Sequence, residues 1–115
     1  MLMTEQILHV ATDFTPTPGP RTRAEGLFSA EEFLQKQLLD RFDQAVESGQ
    51  KLLIDLDGGY GYSTSFLEEA FGGLARRRGV ELVLEHIEFK SEDEAYLIED
   101  IKRYIIQANT GPTRG

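Results

Sequence analysis

The chain contains no cysteine and only two histidines, His9 and His86. Cysteine nucleophiles, thiolate zinc sites and disulfide scaffolds are therefore excluded, and the histidines are too few for a histidine-rich metal cluster. Positive charge is also scarce: 12 basic residues stand against 20 acidic ones, a formal charge of -8. Sequence-independent contact with phosphate backbones runs on clustered Lys and Arg, so neither nucleic acid nor an anionic membrane is an expected partner. No apolar run approaches the roughly 20 residues of a membrane span. The opening MLMTEQILHVATDF has neither the basic flank nor the apolar stretch of a signal peptide, and a cytoplasmic location is the expectation. At 115 residues, 40% hydrophobic and 28% charged, the chain fits one compact domain without room for a second core.

Strand-like and helix-like periodicities alternate along the chain. Residues 5–11 are short and apolar, with Ile7, His9 and Ala11 on one face and Leu8 and Val10 on the other, a strand expected to be buried on both sides. The stretch TDFTPTPGPRTRAEGLF follows, where three prolines and two glycines oppose a helix, and such long loops are often functional. Ser29 with Glu32 forms a capping box, and Leu34, Leu38, Phe42, Ala45 and Val46 make a helical stripe that ends at Ser48-Gly49. KLLIDLD, residues 51–57, has the pattern of a central strand covered on both faces.

A second helix is expected from about Ser65 to Arg78, with Phe66, Leu67, Ala70, Phe71 and Leu74 inward, Arg76 to Arg78 at its carboxyl end, and Gly79 as its stop. Gly72 and Gly73 interrupt it at about 1 kcal/mol each relative to Ala, which close packing at Gly73 and a partner at Gly72 would offset. Residues 80–89 read as a third strand, with a bulge near His86 where the inward phase slips. Ser91 with Glu94 reads as a further capping box before a last helix, whose stripe is Leu97, Ile101, Tyr104, Ile105 and Ala108. A short fourth strand at 26–28 would pair back on the first, and the tail, NTGPTRG, is expected to fray. The expectation is a single α/β domain over 1–110, with a mostly parallel sheet of three or four strands, three main helices and a tail at 111–115.

In such a sheet ligands and partners gather where the strands end. Two loops land there: 13–23, carrying Asp13, Arg21 and Arg23, and 55–65, DLDGGYGYSTS, running into a helix start. Ser65 with Glu68 makes a capping box, and Ser63 and Thr64 precede it, so three hydroxyls cluster where a helix presents unpaired N–H groups. A phosphoryl group there would be stabilised by the helix end and by Arg21 or Arg23, although an N-cap and two turn residues explain the same spacing. Asp55 and Asp57 with Asp13 would offer oxygen ligands to magnesium, but such acids more often cap loop amides, and no metal or cofactor is expected. Neither histidine has a Ser-His-Asp set placed by the sequence, there is no phosphate-binding GxxxxGK[ST] loop, and no catalytic residue is assigned. Tyr60 and Tyr62 are expected in an exposed loop as contact residues, unless one folds back over the core.

The stretch KLLIDLDGGYGYSTSFLEEAFGGLAR resembles the core of STAS domains, the fold of anti-sigma-factor antagonists, in which a strand ending in Asp-Leu leads to an Asp-Ser-Ser-Gly type helix start. With DFTPTPGPR and EGLFSAEEFL, the chain more closely resembles the STAS-like family of unassigned function, over about Ile7 to Ala75. Aligned on Asp55-Leu56, the resemblance places Thr64 at the phospho-acceptor, with Ser63 in place of the preceding acid and Phe66 in place of the glycine. It implies a bacterial, non-enzymatic regulator that docks a histidine-kinase-like ATPase of the anti-sigma kinase type. The contact residues would be Asp13, Arg21, Arg23, Asp57, Tyr60, Tyr62, Phe66 and Glu68. The alternative is a small-molecule or nucleotide domain in which Arg21, Arg23 and the helix start cradle an anion; homodimerisation is a third reading.

Overall fold

The computed structural model describes residues 6–108. The expected boundary near residue 110, the frayed tail and Glu5 at the start of the first strand lie outside the described residues. Three strands, β1 (Gln6–His9), β2 (Leu52–Asp55) and β3 (Ile87–Lys90), form one parallel sheet in the order β1-β2-β3. Helix α1 spans residues 30–47 and helix α2 residues 64–78, each with a widened turn in its middle, at Leu34–Leu38 and Glu68–Gly72. The short α3 (Val80–His86) leads into β3, and α4 (Tyr96–Ala108) closes the described chain.

The alternation along each strand decides where the core lies. Leu8, Leu52, Ile54 and Ile87 are buried and join Phe33, Phe42, Phe66, Phe71, Ile101 and Ile105 from the helices in one cluster. Helix α4 packs on the middle of α2, so α2 lies within the helical layer with neighbours on several sides. Gly73 belongs to that contact: a Cβ there would meet Leu34 Cδ2 at 2.9 Å.

Several expectations are corrected. Residues 80–86 are helical, so the third strand is only Ile87–Lys90, and the apparent bulge at His86 is the junction between helix and strand. Val10–Phe14 forms a single wide helical turn instead of extending β1. Among the described residues there is no strand at 26–28; the loop there is held instead by Gly19 N–H donating to Phe28 O at 2.9 Å. A side chain at Gly19 would run into the Leu27 carbonyl, which reserves the position for glycine. Ser91 does not cap the last helix: its hydroxyl donates to Glu94 O at 2.8 Å, and the helix begins later, at Tyr96.

The expected burial of the strands on both faces is also corrected. The face away from the core carries Ile7, His9, Leu53, Asp55, Glu88 and Lys90, none of them buried. Parallel sheets usually have both faces covered, so one open face distinguishes this fold. No helix of the described residues is long and apolar enough to cross a membrane.

Candidate functional site

The loops after β1 and β2 and the loop after β3 meet at the carboxyl edge of the sheet. Tyr60 N–H donates to Pro16 O at 2.8 Å, joining the first two. Asp57 joins the second to the third: its carboxylate accepts the Asp93 amide at 2.9 Å, the Glu92 amide at 3.0 Å and Lys90 Nζ at 3.0 Å. These donors, the two amides foremost, hold Asp57 below the usual carboxylate range, and Asp57 in turn raises Lys90. Asp57 is thus a brace between loops.

Ser63, not Ser65, caps α2, with its Oγ accepting from Phe66 N–H at 3.1 Å. Ser63 and Thr64 are exposed and Ser65 is half-buried. Phe66 is fully buried against Phe33, with ring centres 5.7 Å apart, and cannot be the contact residue expected of it. Tyr60 is 85% exposed. Tyr62 instead folds over the core beside Phe66 and donates its hydroxyl to Leu56 O at 3.0 Å. Burial, followed by the charges of Asp55 and Asp57, pushes its phenol well above the ordinary value.

The arginines of the first loop are engaged within the chain. Arg21 Nη1 lies 2.6 Å from Glu68 Oε1 and 3.1 Å from Glu69 Oε1, while Arg76 reaches Glu68 Oε2 at 2.9 Å. Burial alone would raise the Glu68 carboxyl, but hydrogen bonds from Arg21 and Arg76 outweigh it and lower it; Glu68 raises Arg21. Arg23 donates to Gln35 Oε1 through Nε at 3.2 Å and Nη2 at 2.9 Å. Both arginines already hold partners within the chain, Arg21 through Nη1 and Arg23 through Nε and Nη2. The space over Gly72, expected to admit a partner, is filled by Glu68 and Arg76.

Asp13 turns back on its own strand: Oδ2 accepts His9 N–H at 2.9 Å and lies 3.5 Å from Arg41 Nη1. Among the described residues no group of three His, Cys, Asp or Glu is arranged to hold a metal. The acids instead face donors. The sequence reading missed the row that runs across the open face at this edge, where His9, Asp55 and Lys90 are register partners on the three strands. His9 Nδ1 lies 2.9 Å from Asp55 Oδ2, and Lys90 Nζ 4.0 Å from Asp55 Oδ1. Only strand register could have revealed it, since the three residues are far apart in sequence. Glu69 and Arg76 were not counted among the site residues, because the cluster they make with Glu68 depends on the first loop bringing Arg21 onto α2.

The cleft between the second and third loops, lined by Leu56, Tyr60, Tyr62, Ser91 and Asp93, holds about 210 Å³, below the roughly 300–1,000 Å³ of typical ligand pockets. Tyr60 projects from the cleft; in the segment that follows the first loop, Leu27 is 80% exposed and Phe28 sits at φ 54° with its ring edge-on to Phe14. A bulky residue in the left-handed region costs roughly 1–2 kcal/mol. The cleft edge is a shallow surface from which Tyr60 projects.

Residues 36–97, more than half of the chain, match the family described as STAS-like domain of unknown function. The chain belongs to that family. The match spans most of α1, β2, α2 and β3, so the STAS-like domain includes the hydroxyl-bearing helix start and the Asp57 brace. No curated protein and no solved structure matches the chain.

Proposed function

We propose that this STAS-like domain is a non-enzymatic regulatory module that docks a protein through the carboxyl edge of its sheet and is switched by phosphorylation at the start of α2. The carrying observation is the exposure of the Ser63 and Thr64 hydroxyls beside Tyr60, on an edge whose cleft is too small for a typical ligand. Thr64 is the preferred acceptor, because Ser63 already caps the helix and Ser65 is partly covered. A phosphoryl group there adds close to two negative charges beside the helix N–H groups. It would also lie one helical turn from Glu68, where Arg21 is held, and would compete for that guanidinium. The partner class in this reading is a histidine-kinase-like ATPase, which the resemblance to anti-sigma-factor antagonists supplies. In this reading the protein works in the cytoplasm.

The test is intact-mass analysis and peptide mapping of the protein purified from its native cells, with a parallel pull-down by wild type and by a variant with alanine at Ser63, Thr64 and Ser65. The expected result is one phosphate within 63–65 and a co-purifying ATPase whose retention changes in the triple variant. An unmodified chain, with partner retention unaltered by the three alanines, overturns the reading.

A further inference from the structure

The two edges of the sheet are finished differently. On β1 the outward backbone groups are taken: Arg41 donates to Ile7 O at 3.1 Å, and Asp13 accepts His9 N–H. Side chains that occupy an edge in this way prevent strand addition. On β3, Lys90 O accepts from Leu56 N–H at 2.8 Å, so Lys90 and, by alternation, Glu88 turn their backbone groups toward β2. Ile87 and Phe89 therefore present theirs outward. A groove runs along this edge, lined by Ile87 and Phe89 with Leu84 of α3 and the α4 stripe Ile98, Lys102 and Ile106. Ile106 is 53% exposed.

The strand sequence is Ile87-Glu88-Phe89-Lys90, and it is complementary to itself. When two copies run antiparallel about a twofold axis through Phe89, each Phe89 faces its counterpart and exchanges both backbone hydrogen bonds with it. Each Glu88 then stands opposite a Lys90, twice over, on the open face. The same axis keeps the helical layers of both copies on one side, so the two α4 stripes meet beside the strands.

We propose that the domain forms a homodimer by antiparallel pairing of β3 with β3 of a second copy, which joins two three-stranded sheets into one of six strands. The inference is independent of phosphorylation, because it uses the strand edge and not the helix start. Glu88 and Lys90 keep their neighbours Lys51 and Asp57 within each chain and add the cross-strand contact on the exposed side.

Sedimentation equilibrium over a concentration series tests this, with circular dichroism confirming that each variant is folded. Wild type is expected to dimerise with concentration. Glu88→Lys sets Lys against Lys at both contacts and is expected to weaken the dimer about tenfold. Lys90→Glu does the same with acids. Mixing the two variants restores opposite charges across the axis, so a mixed dimer is expected to form more strongly than either variant alone, a recovery that damage to one fold would not give. Ile106→Lys, on the exposed stripe, is expected to weaken the dimer without altering the monomer fold. A monomer at every concentration overturns the proposal. So does a dimer insensitive to these changes, or an edge that pairs only with a different protein.

Discussion

The guanidinium of Arg21, on the first loop, sits 2.6 Å from the Glu68 carboxylate, on the first turns of α2, and ties the loop to the helix. Glu69 holds the same nitrogen from the next position, so one arginine fixes the loop against two acids. Both sides are partly exposed, and such pairs contribute about 0.2–1 kcal/mol each. Arg21→Ala, which removes both pairs, is therefore expected to lower stability by about 2 kcal/mol at most. The larger effect expected is on the loop: the Gly19 amide, which donates to Phe28 O, should exchange faster while amides in β2 do not change. Native-state hydrogen exchange checks this. Equal acceleration in both places would show that the bridge supports the whole fold and not this loop.

Capping distinguishes the three hydroxyls of α2. Ser63→Ala removes the acceptor for Phe66 N–H and is expected to cost about 1 kcal/mol, whereas Ser65→Ala is expected to stay within about 0.5 kcal/mol of wild type. Thr64→Ala should likewise be nearly neutral, which makes Thr64 the position where loss of partner binding can be read without loss of fold. Urea unfolding of the three single variants settles the order. A larger loss at Ser65 than at Ser63 would move the cap.

The sequence carried the helices and the parallel order more clearly than the strand lengths. The stripes of α1 and α4 have strict helical spacing, and the matching residues Leu38, Phe42, Leu97 and Ile101 are all buried. Residues 80–89 misled because two periods overlap there. Val80, Val83, Leu84 and Ile87 fit a helix as well as alternation fits a strand, and the slip in phase at His86 is where one structure becomes the other. The open face was hidden because Ile7 and Leu53 are apolar although they lie on it, so the strands read as covered on both sides. Ser63 and Ser65 both precede a helical pattern, and what chooses between them is where the first turn starts, fixed by Ser63 Oγ accepting from Phe66 N–H. The row of His9, Asp55 and Lys90 depends on register, which no local pattern encodes.

Acid should loosen the brace at Asp57. Its carboxyl is held low by the Asp93 and Glu92 amides and then by Lys90, while Asp43 is lowered by Arg78 at 2.7 Å and Glu68 by Arg21 and Arg76. A group lowered in the folded state contributes stability at pH above its unfolded value, near about 4, and loses it as pH falls through the lower folded value. Stability is therefore expected to fall below about pH 4. Asp57→Asn is expected to be less stable than wild type at neutral pH, by a margin that narrows as the pH drops through that window. Unfolding free energies across a pH series check this. A margin constant with pH would show that the charge of Asp57 is not what joins the loops.

The adjacent glycines of α2 should respond differently to a methyl group. At Gly73 a Cβ meets the tip of Leu34, which is buried between helices and has little room to move. Overpacking of this kind costs about 1–3 kcal/mol, against a gain of about 1 kcal/mol in helix propensity. At Gly72 the nearest atoms are Glu68 Oε2 at 2.8 Å and Arg76 Nη1 at 3.2 Å, the ends of flexible chains that can swing aside. Breaking that surface pair costs about 0.2–1 kcal/mol, which the propensity gain offsets. Gly73→Ala is expected to lower stability by about 1 kcal/mol and Gly72→Ala to leave it within about 0.5 kcal/mol of wild type. Thermal and urea unfolding of the two variants measure the difference. Its reversal would mean that the Glu68 and Arg76 network, and not the contact between α1 and α2, sets the need for glycine in this helix.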